Sequence, residues 1–333
     1  MHDILEGGAE CVLRQVLRSL LSNGLVSKQD LEEIFSFQYG PRDSKNNPVQ
    51  INISFITCNA TLKGTASSKW SLLRFLPLFL GGKIPENNDD WEILLKYREV
   101  MDIVFAPHIP SSQLAYLDVL VQTFITEFSR KYGTTALIPK LHFLVHYSRF
   151  IREEGPLKNF WSMRFEAKHQ YFKKVAMTVK NFKNLTYTLA MRHQLKLSYQ
   201  LHSFQLYEGL LTGQSKPVVC STLPQCAKDV LPERVFQVNR ATIDHCSYSC
   251  GAVLVEKSGD APKFHKIEAR FVANGSLHIL ARDLIIEGFD PHRFCYCVKR
   301  SNDLTMHTPA DRFQYHLLEI YGDGNIVPKW ETW

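Results

Sequence analysis

Apolar positions follow a helical period through the first two hundred residues of this chain and then change to short alternating runs. Over 3–22, Leu5, Ala9, Val12, Val16 and Leu20 fall on one helical face, and Asn23-Gly24 supplies the stop. Ser27 with Asp30 three residues on is a capping pair, which opens a second helix ending near Tyr39-Gly40. The polar, irregular residues 41–63 predict a loop. The run 66–80 (ASSKWSLLRFLPLFL) reads as a buried helix, kinked or ended at Pro77. A helix over 88–106 turns Trp91, Leu94, Leu95 and Met101 inward, and one over 111–132 does the same with Leu114, Leu117, Val121, Phe124 and Phe128. Pro139 opens another that runs through Ile151. Gly155-Pro156 separates it from the longest pattern, 160–204, which has neither Gly nor Pro. There Phe165, Phe172, Val175, Val179, Phe182, Leu185 and Leu189 recur at steps of three, four and seven, predicting one long helix.

The pattern then breaks. Residues 205–232 carry Gly, Ser, Thr and Pro with little periodicity and read as a linker. From Arg234 onward β-rich runs appear: VFQVNRATI, GAVLVEK, KFHKIEARFVA, SLHILARDLII, HRFCYCVKR and FQYHLLEI. Asn274-Gly275 between two of them is a two-residue hairpin signal. The predicted fold class is multidomain α + β: an N-terminal all-α domain over 1–204, the linker, and a small β-barrel-like domain over 233–333.

Composition fits that division. At 333 residues, 45% apolar and 12% aromatic, the chain can build full cores in about two domains. Formal net charge is +6, and much of the excess sits in 160–204. That stretch holds Arg164, Lys168, Lys173, Lys174, Lys180, Lys183, Arg192 and Lys196 against a single carboxylate, Glu166. Glu166 is either an acid stabilised near a helix N-terminus or a metal-binding carboxylate facing a phosphate backbone. Eight Cys without a secretory leader predict free thiols in a reducing, intracellular compartment. The most hydrophobic run, 72–80, is too short for a bilayer and contains Arg74 and Pro77, so no membrane association is expected.

Several residue patterns bear on chemistry. His142 and His146, four apart, put two imidazoles on one helical face, as a zinc site or an inward hydrogen-bonded pair would. Phe143 stands where a metalloprotease would carry Glu. Glu166 and His169 have the Glu-x-x-His spacing of di-iron bundles, but no second such pair is present on another helix. Cys246, Cys250, Cys295 and Cys297 lack the spacing of common zinc ribbons and read as structural thiols. No phosphate-binding Gly-rich loop and no G-x-S-x-G elbow occurs.

The basic segment also carries a resemblance. WSMRFEAKHQYFKKVAMTVKNFKN is similar to the third-acid segment of CACTA (En/Spm-like) DNA transposases and their host-genome derivatives. IPKLHFLVHYSRFIREEGPL resembles the stretch just before it, MHDILEGG the D-x-M-H stretch upstream, and GAVLVEK, FHKIEARF and YGDGNIVPKW the C-terminal module. The resemblance implies an RNase H-like core with three acids holding two divalent metals, interrupted by a helical insertion. Glu166 matches the third acid, and Lys168, Lys173, Lys174 and Lys180 match basic positions beside it, suited to DNA phosphates. Residues from about 10 to 155 match the insertion. The first two acids would precede Met1, so the chain is expected to correspond to the C-terminal half of a transposase. The implied function is a transposon-derived, nuclear protein without catalytic competence, touching DNA non-specifically through Arg164, Lys168, Lys173, Lys174, Lys180 and Lys183. A cofactor such as Mg²⁺ is implied only with the upstream acids. The alternative is a protein-interaction adaptor that uses the β domain and has no nucleic-acid role.

Overall fold

In the computed structural model, residues 2–203, 209–243, 246–258, 261–309 and 317–329 are described. A π-helical turn, Ile4–Gly8, leads into α1 (Ala9–Ser22). The predicted face of α1 is buried, and Gly24 takes the left-handed φ that ends it. The capping box opens α2 (Lys28–Ser36): the Asp30 N–H donates to Ser27 Oγ at 3.2 Å and the Ser27 N–H to the Asp30 carboxylate at 2.7 Å. α2 stops before Tyr39, whose ring instead joins a core. The expected loop 41–63 carries one short helix, α3 (Ile53–Thr57).

α4 (Ala66–Leu80) runs through Pro77 without stopping. Burial of Ser71–Leu78 on all sides offsets the lost hydrogen bond and the ring's crowding of the preceding turn, which together cost about 3 kcal/mol. α5 (Asp89–Val104) is capped by Asn88, and α6 (Ser111–Tyr132) buries the predicted stripe. The helix predicted over 139–151 is divided into α7 (Pro139–His142), a 3₁₀ turn and α8 (Tyr147–Glu154).

The long helix predicted over 160–204 is two helices, α9 (Ser162–Val179) and α10 (Leu185–His202), folded into a hairpin; Phe204 lies outside the described residues. Lys180 and Asn184 both have left-handed backbone, and the Lys183 N–H donates to Asn181 Oδ1 at 3.1 Å. Asparagine tolerates this geometry and supports it with its own side chain. The break turns the apolar stripe on itself. Phe172, Val175, Val179, Leu185 and Leu189 are half-buried, whereas Phe165 and Phe182 stay exposed.

The residues expected as a linker already build the sheets: β1 (Leu211–Thr212), β2 (Ser215–Val219) and α11 (Gln225–Lys228). Then come β3 (Arg234–Val238), β4 (Ala241–Ile243), β5 (Cys246–Tyr248) and β6 (Val253–Ser258). The chain continues with β7 (Ala261–Ala273), β8 (Ser276–Asp290), β9 (Cys295–His307), β10 (Ile320–Tyr321) and β11 (Asn325–Ile326). Asn274 and Gly275 both have positive φ in the β7–β8 turn, as a type I′ hairpin requires.

The β-barrel expected from the sequence does not close. All pairings are antiparallel, with order β10-β11-β9-β8-β7-β3-β2 and β6 also on β7, beside a small β1-β4-β5 sheet. The two-residue β10 ends one side of the large sheet and β2 the other. Register shifts at Ile267/Ala269, Arg282/Leu284 and Ile286/Gly288 mark bulges in the three long strands.

Helical and β regions share a core of Tyr39, Phe75, Leu78, Cys295, Tyr321 and Val327. Buried Arg74 clamps the junction. It donates to Asp43 at 2.6 Å, to Val327 O at 2.7 Å and to Pro328 O at 3.0 Å, while Tyr321 donates to Asp43 at 2.6 Å. Trp91 Nε1 donates to His292 O at 3.0 Å across the same boundary.

Candidate nucleic-acid interface

The hairpin α9–α10 is built unlike the rest of the chain. Neither helix contains a buried residue. Its base is pinned by Trp161, which packs edge-on against Trp70 and Phe105 at centroid distances of 6.4 and 5.5 Å. The 160–204 stretch carries eight cations against Glu166, while the whole chain is only +6, so the remainder is one charge short of neutral. The positive character of the protein is thus local to this hairpin.

Arg164, Lys168, Lys173, Lys174, Lys180 and Lys183 are all exposed. They do not form one stripe. At about 100° per residue, Arg164 and Lys168 share one face of α9, Lys173 and the Lys180 just past its end lie on the other side, and Lys174 lies between. Lys183 is in the loop at the tip. Folding of α10 against α9 completes the Arg164–Lys168 face with residues the sequence reading had not nominated. Lys168 and Lys196 place their ammonium groups 5.0 and 4.9 Å from the centroid of the Tyr171 ring. Arg192 lies one turn from Lys196 and lines a concavity with Tyr171 and Tyr187. The signal for this pairing was the Asn181 and Asn184 of the loop.

That concavity is one of three that adjoin. Tyr171 also lines a second with Arg164 and Lys168, and Trp161 and Met163 connect it to a third of about 310 Å³ at the root of the hairpin. The root pocket gathers Arg42, Arg74, Lys158 and Lys329 around Asp43, with Glu319 paired to Arg42 at 3.0 Å, so four cations meet two carboxylates. Burial, with Arg164 and Lys329 close by, draws Lys158 down to about 8. Burial, with Arg74 and Arg42 and against the pull of Asp43, draws Lys329 down to about 8. Excess positive charge in a recess is what an anion relieves. The result is a groove running from the root pocket along α9 and α10, lined by cations and aromatic rings.

Glu166 lies on the opposite side of α9 from the Arg164–Lys168 face, half exposed. His2 Nε2 lies 3.3 Å from its carboxylate, and His2 Nδ1 contacts Glu6. Two segments of the transposase resemblance, around His2 and around Glu166, therefore meet in space. The imidazole lies between the two acids. His142 is exposed and His146 half-buried, with rings edge to face at 5.1 Å, so the expected inward-facing pair is not formed. The 3₁₀ turn at Phe143–His146 takes both off a regular helical face. The four β-region cysteines do not gather. Cys250 donates to Glu268 O, and Cys295 and Cys297 both approach Asn325. Cys295 is buried, and burial pushes its thiol up to about 12. Among the described residues no helix is long and apolar enough to cross a membrane. No family model, no curated protein and no solved structure matches the chain.

Proposed function

We propose that this chain is a transposase-derived, DNA-contacting protein that grips a phosphodiester backbone in the α9–α10 groove and performs no strand transfer of its own. The observation that carries the reading is the concentration of the whole positive excess on a helical hairpin that has no buried residue and is rooted in a cationic pocket. Arg164, Lys168, Arg192 and Lys196 supply phosphate contacts, and Lys158 and Lys329 seat a phosphate at the root. Contacts of this type position a duplex without reading its sequence. The spatial meeting of His2 and Glu166 supports the transposase resemblance. Two-metal phosphoryl chemistry needs several carboxylates around its ions, and Glu166 faces an imidazole instead. On this reading the protein works in the nucleus.

Photo-cross-linking to a bromouracil-substituted duplex, followed by peptide mapping, tests the surface. Adducts within α9 and α10 are expected; adducts confined to the sheet would contradict it. Plasmid nicking with Mg²⁺ or Mn²⁺ that disappears in Glu166→Gln would overturn the non-catalytic part.

The adaptor reading draws on a different surface. A cleft of about 700 Å³ between α5, α6 and the β8–β9 turn is lined by Glu86, Glu92, Glu99, Asp102 and Asp290 against one cation, Lys96, around Tyr116 and Phe289. It suits a basic, aromatic-bearing peptide. Retained binding of such a peptide by Glu92→Gln/Glu99→Gln would remove that reading.

A further inference from the structure

Polar side chains from four adjacent strands meet at the rim of an apolar sheet face. Register places His265 of β7 opposite Asp283 of β8, and β9 brings Thr305 and His307 alongside through their pairing with Ala281 and Ile279. The same face continues into Leu254, Ile267, Ile279 and Ala281, all fully buried. His265 is itself buried, at 5% exposure. Its Nδ1 lies 2.8 Å from Asp283 Oδ1 and its Nε2 lies 3.1 Å from Glu256 Oε2 on β6. Thr305 Oγ1 donates to Asp283 at 2.8 Å and lies 2.8 Å from His307 Nε2. The two imidazoles lie 4.4 Å apart between centroids, with their planes tilted by 53°. Among the described residues, this is the one group of three ligating side chains whose donor atoms all lie within 4.8 Å of one another.

We propose that His265, Asp283 and His307 bind a divalent transition-metal ion, zinc first, with Glu256 holding the far nitrogen of His265. Two imidazoles and one carboxylate suit borderline ions; Mg²⁺ and Ca²⁺ take oxygen ligands. Bonds of about 2.1 Å at tetrahedral angles set donors about 3.4 Å apart, so the His265–Asp283 pair, now at 2.8 Å, widens, while any donors nearer the 4.8 Å limit draw in. The ion enters between His265 Nδ1 and Asp283, where it takes the place of the hydrogen bond. Glu256 then fixes the ring's orientation and raises its basicity, as carboxylates do behind ligating histidines. Asp283 sits at a bulge, a feature that re-aims side chains. Three protein ligands leave one position for water or an incoming group. Thr305 keeps its bond to the carboxylate in support. The sequence could not display this site, because its members lie on separate strands with no short spacing between them.

The test is metal titration of the full chain after chelator treatment. Zinc measured against a chromophoric competitor should bind one tight equivalent. Cobalt at the same site should give visible d–d absorption without thiolate charge-transfer bands, which excludes the cysteines. Asp283→Asn and His307→Gln should each weaken zinc at least about 10-fold, and Glu256→Gln by about 10- to 100-fold. His142→Gln/His146→Gln should leave it unchanged. Absence of a tight equivalent in the parent, a thiolate band, or unchanged affinity in both ligand variants would overturn the proposal. The parent's cobalt spectrum decides even where a variant fails to fold.

Discussion

Arg74 does the most structural work of any single side chain. It sits inside the apolar run 72–80 of α4, and its guanidinium satisfies Asp43 and two backbone carbonyls of the C-terminal segment. Removing one partner of a buried pair leaves the other charged and unmatched, at a cost of about 3–5 kcal/mol. Arg74→Ala should therefore lower the stability measured by urea unfolding by about that amount. Burial works to raise the Asp43 carboxyl, but Arg74, Lys329 and the Tyr321 hydroxyl outweigh it and hold it below the ordinary value. Its contribution is present above the unfolded value of about 3.9 and is lost as pH falls through the lower folded value. Lys158 and Lys329 run the other way. Each folded value, about 8, lies below the unfolded one. From these two groups stability rises between pH 8 and about 10.4, because the unfolded chain there binds more protons. Their charge in the folded protein, and with it DNA affinity, should fall earlier, as pH rises through about 8. Lys158→Met/Lys329→Met should flatten the affinity-versus-pH curve around pH 8; an unchanged curve would exclude the root pocket as a phosphate seat.

At the scale of elements, the hairpin loop shows where sequence reasoning stops. Faces of α1 and α6 were legible because one apolar stripe meets one core. The break inside 160–204 was not, because it uses Lys180 and Asn184 in left-handed backbone without Gly or Pro. A β-branched residue in that geometry costs about 1–2 kcal/mol. Asn184→Val should speed amide exchange through α9 and α10 while leaving α5 and α6 protected; equal loosening of all four helices would argue against an autonomous hairpin. The charge of the candidate interface was legible, and its face was not, because Tyr171 and Lys196 are 25 residues apart and meet only after the turn. Likewise the β8–β9 bulges and the His265–Asp283–His307 group depend on register, which composition does not encode. Arg74 was read as one charge interrupting an apolar run; its partners Asp43, Val327 and Pro328 lie 31, 253 and 254 residues away in the chain.

For the molecule as a whole, the sheet and the helices form one packed unit at their junction. The β region predicted as a self-contained domain from 233 takes β2 and α11 from the expected linker, and Cys220 and Ala227 sit in one core with Val235 and Phe271. A fragment of residues 230–333 lacks these and the Phe75–Leu78 cover, so it should show no cooperative thermal transition where the full chain does. The central claim concerns the groove. The four groove cations, neutralising about four phosphates, contribute about −3.6 to the log–log salt slope on duplex DNA. Fluorescence anisotropy across a salt series should therefore show the slope flattening by about 3.6 in the variant Arg164→Gln/Lys168→Gln/Arg192→Gln/Lys196→Gln. The distal replacement Lys173→Gln/Lys180→Gln should change it far less. No binding by the parent at low salt, or an equal slope in parent and groove variant, would contradict the account.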